Sequence, residues 1–360
     1  MSGTENGVRS KLREALAKRE VGLVSDDGTL AMGQFLDKWL TSTRDTVKDR
    51  TWVRHEEIVR LHLSPHLGNI RLGRLDPMRV QTLYRAKLDS GLSARTVQII
   101  HTTLHKALKQ AVRWRLVARN VSEDVDPPRP ARSEIQPLTR AEARTLLDTA
   151  RGDPLEALYV MALTTGMRSG ELVGLMWEDV DLETRVVRVR RTVWAGKASA
   201  PKTNAARRQI GLSTRAVAAL LEHRAESMAR LGYESQWVFC SRVGTPLSIH
   251  NVHNRSWKPL LKRAGLPKTT RFHDLRHTCA TLLLGRSVHP KLVQALMGHA
   301  SIEVTMNTYS HVMPDMGEAT TLAMNDALGG GSRKVSEAST GRRSGCAVSI
   351  RQPGRRPCPR

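Results

Sequence analysis

Cysteine and long apolar runs are scarce in this chain, and each shortage excludes a class of protein. Its four cysteines, Cys240, Cys279, Cys346 and Cys358, are scattered over 360 residues without CxxC spacing. A chain of this length folds without disulfide bonds, so we expect reduced thiols that bind no zinc. It contains no run of about 18 apolar residues and no charged and then apolar leader. We therefore expect a soluble, cytoplasmic protein that is not bound to a membrane.

Acidic residues are also in short supply. Asp and Glu total 34 against 57 Lys and Arg, which gives a formal net charge of +23. An excess of this size makes a polyanion the expected partner, and nucleic acid is the first candidate. Hydrophobic residues make up 40% of the chain, which is enough for a buried core and excludes a disordered chain. The length suits two or three domains.

The first third of the chain has helical periodicity. From Ala31 to about Leu116 apolar residues recur at steps of three and four, most clearly in 93–114, which predicts a small helical bundle. Outward positions of the 93–114 helix are basic, and five of them are candidates for DNA contact: Arg95, His105, Lys106, Lys109 and Arg113. An ordinary solvated helix face shows the same pattern, so both interpretations stay open.

A second domain follows a segment rich in proline. Residues 122–137 contain four prolines and no periodicity, which predicts a linker. Thr139 and Glu142 then have the spacing of a capping box at a helix start. Residues 186–193 and 208–213 predict two strands, with Lys202 near a hairpin tip between them, and helical patterns continue to about Met313. The expected fold class is mainly α with a small antiparallel β-sheet (α+β).

Two segments of the second domain contain an arginine at a position that suits the binding of a phosphate. Arg168 follows Gly166 at a turn that leads into a helix. Arginine at a helix start opposes the helix dipole, so a bound anion explains it better than helix stability does, although an ordinary surface arginine is the alternative. Further along, His273 and Arg276 lie three residues apart and are expected to project from one face of a helix.

A zinc site is a competing interpretation of the same segment. His273 and His277 lie four residues apart, as two helical zinc ligands do. The glutamate of an HExxH motif is absent, because Asp274 follows His273, and no third ligand is evident. We therefore expect no metal at this site.

Tyr309 is the candidate nucleophile. It stands ten residues after His299, between Thr308 and Ser310, in a chain that is only 4% aromatic and has four tyrosines. A lone tyrosine is otherwise an ordinary core or surface aromatic. The polar neighbours lead us to expect a phenol exposed to solvent, and a phenol near cationic groups is suited to attack a phosphate.

Taken in order, these motifs resemble those of the tyrosine recombinase family, which includes the phage integrases. The resemblance covers about residues 30–315. Its residues form a GxRxxE segment, a hairpin lysine, an HxxR motif, a GH pair and a final tyrosine: Gly166, Arg168, Glu171, Lys202, His273, Arg276, Gly298, His299 and Tyr309. Segments 27–40 and 46–52 are similar to integrases of phages and mobile elements in Gram-positive bacteria.

The resemblance implies a site-specific recombinase or integrase that cleaves and rejoins DNA through a 3'-phosphotyrosyl intermediate, without metal or other cofactor. Tyr309 is the implied nucleophile, and Lys202 is the general acid, with Lys197 in reserve. His273 assists proton transfer at the nucleophile, and His299 hydrogen-bonds the scissile phosphate. The two motif arginines hold the non-bridging oxygens. The implied catalytic set is therefore Arg168, Lys202, His273, Arg276, His299 and Tyr309.

The resemblance also implies a domain order and partners. The order is a segment at 1–29, interpreted as a remnant of an arm-binding domain, a helical SAM-like core-binding domain at 30–121, a linker at 122–137, a catalytic domain at 138–316, and a C-terminal segment with a basic disordered tail at 317–360. Expected partners are double-stranded DNA, three further copies in a homotetramer on two DNA sites, and host or element accessory factors, in association with the bacterial nucleoid. Two other functions stay open: a DNA-relaxing enzyme similar to type IB topoisomerases, and a catalytically silent DNA-binding regulator.

Overall fold

The computed structural model describes residues 7, 30–131, 136–200, 207–309, 321 and 324–328. Predictions outside these residues are the position of Lys202, the interpretation of most of the 1–29 segment and the disorder of the tail beyond 328. In the described ranges no helix combines the length and the apolar composition that crossing a membrane requires.

The N-terminal unit is built from helices. They are α1 (Met32–Thr43), α2 (Asp49–Ile58), α3 (Ser64–Leu67), α4 (Pro77–Asp89) and α5 (Ala94–Arg113). A π-helical turn at Val59–Leu63 joins α2 to α3, and short 3-10 helices lie at Leu72–Arg74 and Val121–Asp124. The predicted helical bundle is confirmed.

Helix α5 supplies the longest apolar stripe of this unit. Ser93 caps its N-terminus by accepting the Thr96 amide at 3.2 Å. On its inner face Val97, Ile100, Leu104 and Leu108 are buried, whereas Val112 is half-buried. Each such side chain contributes about 1.5–3 kcal/mol when fully buried. They join a core that runs from Met32 to Val125 and is separate from the core of the following unit.

The second unit is also mainly helical. Its helices are α6 (Arg140–Thr149), α7 (Glu156–Thr165), α8 (Ser169–Leu172), α9 (Thr214–Leu231), α10 (Ile249–Val252), α11 (Lys258–Arg263), α12 (Asp274–Leu284), α13 (Pro290–Met297) and α14 (Ile302–Tyr309). The capping box predicted before α6 is present, because the Glu142 carboxylate accepts the Thr139 amide at 2.8 Å and the Thr139 hydroxyl accepts the Glu142 amide at 3.2 Å.

Among the described residues between α8 and α9 there are five short strands. They are β1 (Val180–Asp181), β2 (Val186–Val189), β3 (Thr192–Trp194), β4 (Lys197–Ser199) and β5 (Arg208–Gly211). β2 pairs antiparallel with both β1 and β5, and Val187 lies opposite Ile210. β3 and β4 form a separate antiparallel hairpin. The sheets are small and antiparallel, as expected.

The prediction of one continuous strand over 186–193 is wrong. The strand breaks at Arg190 and Arg191, because both side chains turn back to the buried carboxylate of Asp179. The chain then starts the β3–β4 hairpin, whose turn residues Ala195 and Gly196 have φ of +48° and +75°. Positive φ at both turn positions is the geometry that a two-residue hairpin requires.

Helix α7 is buried on nearly all sides and ends at Gly166, the first residue of the GxRxxE segment. Residues 157–163 are buried without a polar face, which is expected of a helix inside a core. α7 packs against both α9 and α12, and it ends at Gly166 in the left-handed conformation, with φ of +59°. A side chain at Gly166 would have its Cβ 2.2 Å from Cε of Met297. This close approach joins the end of α7 to the end of α13.

Replacing Gly166 by alanine therefore tests how tightly these two helix ends are packed. Gly166→Ala is expected to cost about 1–2 kcal/mol for the left-handed backbone and about 1–3 kcal/mol more for displacing the fully buried Met297. Gly152→Ala is the matched control, since Gly152 also has positive φ, of +71°, but a Cβ at that position would meet no atom within 4 Å. Urea unfolding of both variants measures the difference, and equal losses would contradict the close approach.

Candidate active site

Three arginines from different parts of the fold donate to three consecutive carbonyl oxygens. These oxygens lie at the C-terminal end of α13, where a helix carries partial negative charge and leaves its last carbonyls without helical partners. Guanidinium groups are therefore stabilised there. The pairs are Arg208 Nε with Leu296 O at 2.6 Å, Arg276 Nη2 with Met297 O, and Arg168 Nη2 with Gly298 O at 3.1 Å.

Glu171 holds two of these arginines together. Its carboxylate accepts from Nη1 of Arg168 at 2.8 Å and from Nη2 of Arg208 at 2.9 Å, and it also accepts the Arg168 amide at 2.9 Å. Glu171 and Arg208 are buried, whereas the side chain of Arg168 is 39% exposed. Arg168, at the start of α8, thus pairs with Glu171 of its own GxRxxE motif. The helix-dipole argument, which led us to expect a bound anion beside Arg168, did not identify this partner.

The pKa of Glu171 reflects this contact. Burial by itself raises the pKa of the carboxyl group, but the hydrogen bonds and positive charges of Arg208 and Arg168 outweigh it and hold the pKa below its ordinary value. Glu171 is therefore a carboxylate at neutral pH. Its negative charge offsets part of the repulsion between the two guanidinium groups.

Arg276 is the most deeply placed arginine of the site. It lies in the first turn of α12, is 4% exposed, and donates through Nη1 to the carbonyl oxygen of Gly166 at 2.6 Å. Burial and the charge of Arg168 lower the pKa of Arg276 to about 10, so the guanidinium stays charged at neutral pH. Arg168 and Arg276 bind adjacent carbonyls and thus lie side by side, although they come from distant segments.

His273 differs from the expected arrangement. It precedes α12 as its N-cap residue and is exposed, whereas Arg276 is buried within the helix. Burial of part of the ring and the charge of Arg276 lower the pKa of His273. The ring stands edge-on to His277, with centroids 5.3 Å apart. In the described part of the chain, no group of three or more His, Cys, Asp or Glu side chains is placed to hold a metal ion.

Tyr309 is buried, and the expectation of an exposed phenol is wrong. It is 2% exposed and belongs to an apolar cluster with Cys279, Val293 and Met297. Helix α14 packs against α13 and α12, and this contact covers the ring. Burial raises the pKa of Tyr309 to about 12. The polar residues beside Tyr309 in the sequence did not report its surroundings, because in a helix adjacent residues point in different directions.

The phenol has a partner that the sequence motifs did not assign. The hydroxyl of Tyr309 lies 2.7 Å from Nδ1 of His277. Burial and the nearby His273 lower the pKa of His277 to about 4, so its imidazole is neutral at pH 7. The only sequence signal for His277 was its spacing from His273, and that spacing was considered only as a zinc motif.

His299 lies directly after the turn that receives the arginines. Its Nδ1 is 2.8 Å from the hydroxyl of Thr305, a buried residue of α14. Burial and the charges of Arg276 and Arg168 lower the pKa of His299 to about 4. When the Thr305 hydroxyl donates to Nδ1, the ring proton sits on Nε2 and is available to an anion. The HxxR, GxRxxE, GH and tyrosine motifs therefore meet in one place.

The predicted general acids and DNA-contact residues belong to other segments of the chain. Lys197 is exposed on β4, and Lys202 is outside the described residues. Arg95 and Lys106 of α5 line a cleft of about 380 Å³ together with Arg50 and Arg54 of α2. Lys109 and Arg113 are exposed further along α5.

His105 has a structural environment. Its Nδ1 lies 3.2 Å from the Asn120 amide nitrogen and 3.2 Å from the Ser122 hydroxyl, so one edge of the ring binds the 3-10 segment at the end of the helical unit. The ring is half-buried. Its proposed contact with DNA stays a prediction, and only the other edge of the ring is placed to make it.

Comparison with known proteins finds relatives over most of the chain. A family model described as "Phage integrase family" matches residues 136–316, and one described as "Phage integrase, N-terminal SAM-like domain" matches residues 31–88. A "Tyrosine recombinase XerC-like" protein of Caldanaerobacter subterraneus subsp. tengcongensis is 27% identical over 353 residues, which cover 90% of this chain and 90% of that protein. An "Integrase" of Streptomyces ambofaciens is 30% identical over 328 residues, covering 85% and 82%.

Solved structures share the fold. The Tn1549 transposon integrase in complex with a circular intermediate DNA superposes with a TM-score of 0.68 at 23% identity, over 83% of this chain and 99% of that chain. A lambda integrase tetramer bound to a Holliday junction superposes with a TM-score of 0.61 at 20% identity, over 77% and 80%.

Removing the charge of Glu171 is expected to destabilise the site. Glu171→Gln leaves Arg208 buried without its anion, and breaking a buried ion pair costs about 3–5 kcal/mol. Because the pKa of Glu171 is lowered on folding, its contribution is complete above the ordinary carboxyl pKa and is lost as the pH falls through the lowered pKa. The stability gap between wild type and variant should therefore narrow in acid.

Urea unfolding at a series of pH values measures this gap. Glu178→Gln is the matched control, since Glu178 pairs with Arg191 but its side chain is 60% exposed. The decrease in the free energy of unfolding for Glu178→Gln should be a small fraction of the decrease for Glu171→Gln. A gap that is equal for the two variants, or that does not change with pH, would show that Glu171 does not compensate the arginines.

Proposed function

This chain belongs to the phage integrase family of site-specific tyrosine recombinases, and we propose that it cleaves and rejoins DNA through a transient bond between Tyr309 and the 3' phosphate of the cut strand. The observation that carries the assignment of residues is the meeting of Arg168, Arg276, His299 and Tyr309 around the end of α13. The function is the integration or excision of a phage or mobile element.

Arg168 and Arg276 are the proposed phosphate ligands. Each guanidinium has five N–H donors, and Arg168 uses Nη1 for Glu171 and Nη2 for the Gly298 carbonyl while its side chain stays 39% exposed. A guanidinium matches two phosphate oxygens in bidentate geometry. Two such groups side by side stabilise the extra negative charge of a pentacoordinate transition state, the task that a metal ion performs in other phosphoryl-transfer enzymes.

His299 is the proposed third donor to the phosphate. Its low pKa keeps the ring neutral, so it contributes a hydrogen bond from Nε2 rather than a full charge. Thr305 fixes the orientation of the ring from α14. The same helix carries Tyr309, so the position of the nucleophile and the orientation of His299 are linked.

Tyr309 is the proposed nucleophile, and its burial has a mechanistic consequence. With 2% of the residue exposed, the phenol is covered in the absence of DNA, so a bound duplex must displace side chains that cover the ring while the hydroxyl keeps its contact with His277. Attack on phosphorus exchanges one phosphodiester for another, so the bond energy is retained and no nucleotide cofactor is needed. Lys202 is the proposed general acid for the departing 5' oxygen, by resemblance to the family, with Lys197 in reserve.

We propose that the helical N-terminal unit binds the DNA duplex together with the catalytic unit. Its cleft between α2 and α5 carries Arg50, Arg54, Arg95 and Lys106. Four cations on one surface suit the phosphate backbone of a duplex, where each contact contributes through the release of counterions. Lys109 and Arg113 extend this surface along α5.

Strand exchange requires more than one copy, and we propose a homotetramer on two DNA sites. Lambda integrase, which shares the fold, forms a tetramer on a Holliday junction. In this chain Met324 and Leu328 are 55% and 77% exposed after α14, and apolar side chains in this position suit docking on a neighbouring copy. Accessory factors and an association with the nucleoid stay predictions.

The covalent intermediate gives a direct test of the nucleophile. Tyr309→Phe removes the attacking oxygen and retains the buried ring, so DNA binding should stay within a few-fold of wild type while the covalent adduct disappears. The measurement is a denaturing gel after incubation with a nicked duplex that carries the junction sequence flanking the coding region. Tyr233→Phe, at an exposed tyrosine of the same unit, is the matched control, and an adduct that survives in Tyr309→Phe would identify a different nucleophile.

A supercoiled plasmid with two junction sites distinguishes the proposed function from the two alternatives. A recombinase is expected to produce recombinant circles, and their yield should rise steeply with protein concentration because four copies act together. An enzyme similar to type IB topoisomerases would relax the plasmid without recombinants. A silent regulator would do neither and would still bind the sites, so the products on a native gel separate the three.

A further inference from the structure

We propose that His277 is the general base of the reaction, which accepts the phenolic proton of Tyr309 during cleavage and returns it during rejoining. This inference rests on the proposed function of Tyr309 as the nucleophile. It assigns a role to a histidine outside the HxxR motif, whereas the resemblance alone assigned assistance at the nucleophile to His273.

The geometry of the two side chains carries the inference. Nδ1 of His277 lies 2.7 Å from the hydroxyl oxygen of Tyr309, within the range of about 2.6–3.2 Å that a general base needs. The ring centroids are 5.9 Å apart and the ring planes are tilted by 51°, so the two rings do not stack. Tyr309 is buried and His277 is half-buried. Bulk water therefore has little access to the phenolic proton.

His273 is less well placed for this task. It is exposed at the N-cap of α12, and its ring meets the ring of His277 edge-on at 88°. Among the hydrogen bonds of the described residues, the Tyr309 hydroxyl is paired with Nδ1 of His277. His277 follows His273 by one helical turn. The ring centroid of His277 lies 5.3 Å from that of His273 and 5.9 Å from that of Tyr309, so His277 lies between His273 and the phenol.

The electrostatic surroundings keep His277 in the form that can accept a proton. Four charged or titratable groups face His277 from its own helix and the preceding turn: Arg271, His273, Asp274 and Arg276. From α14 and the turn before it, the facing groups are the phenol of Tyr309 and the imidazole of His299. Burial, followed by His273, lowers the pKa of His277 to about 4. The neutral ring then has its lone pair on Nδ1 when its proton is on Nε2.

The proposed step is balanced in protons and charge. The phenolic oxygen of Tyr309 forms a bond to phosphorus while its proton moves to Nδ1 of His277, which becomes an imidazolium. The bond from phosphorus to the 5' oxygen breaks, and that oxygen takes a proton from the general acid. The anionic phosphate offsets the new positive charge on His277. Rejoining runs the same transfers in reverse, with the imidazolium protonating the departing phenol.

The test compares three variants on the nicked duplex. His277→Ala is expected to slow formation of the covalent adduct by about 100- to 10,000-fold at neutral pH, the range for loss of a general base, without a change in DNA binding. The deficit should shrink as the pH rises, because hydroxide replaces the base, and added imidazole should restore part of the rate. His250→Gln, at an exposed histidine of the same unit, is the control and should cleave at the wild-type rate.

His277→Asn separates a base from a residue that only positions the phenol. The asparagine amide takes the place of the Nδ1 edge and can hydrogen-bond the phenol, but it cannot accept its proton. We expect this variant to be as slow as His277→Ala with the same dependence on pH. Cleavage by His277→Asn within about 3-fold of wild type would overturn the proposal and leave His277 a positioning residue.

A substrate with sulfur at the bridging 5' position adds a second criterion. A thiolate leaves without protonation, so the sulfur substrate relieves the loss of a general acid but not the loss of a general base. His277→Ala should stay slow on it, and a return to the wild-type rate would contradict the proposal. The outcomes also separate the two proposals: no adduct in the wild type would overturn the proposed function, whereas adducts at equal rates in wild type and both His277 variants would overturn this inference alone.

Discussion

The site depends on how several positive charges are held close together in a largely buried place. Arg168, Arg208 and Arg276 repel one another, and bringing them together without compensation would oppose folding. Two sources of negative charge offset this repulsion: the carboxylate of Glu171, and the three carbonyl oxygens at the C-terminal end of α13. The helix end thus serves as an internal anion that the backbone provides. The arginines are positioned before any DNA arrives, so binding a phosphate requires little reorganisation.

Burial in this region, together with the nearby positive charges, also lowers the pKa values of the histidines. Burial together with nearby cations lowers the pKa values of His277 and His299 to about 4. Both rings are therefore neutral at physiological pH. A neutral imidazole can accept a proton from a phenol or donate a hydrogen bond to a phosphate, whereas an imidazolium could only donate. Burial is the main cause for both rings, and the arginines add to it.

Helix α14 links the site to the arrangement of the whole molecule. It carries Tyr309, and through Thr305 it orients His299. The burial of Tyr309 in an apolar cluster with Met297 and Cys279 keeps the proposed nucleophile out of solvent in the absence of DNA. In the proposed mechanism this burial protects the phenol until a bound phosphate meets the arginines. The helical N-terminal unit, with its own separate core, presents its basic cleft independently of these contacts.

The sequence alone was sufficient for the fold class, for the helical first unit and for the ordered set of motifs. Periodicity along one chain reports which face of α5 is buried, and the spacing of Thr139 and Glu142 reports a helix start, because both depend on neighbours within a few residues. The burial of Tyr309, its bond to His277 and the role of Arg208 depended on the tertiary structure. Each arises from segments far apart in the chain, and local patterns carry no information about which distant side chains and helix ends they will meet.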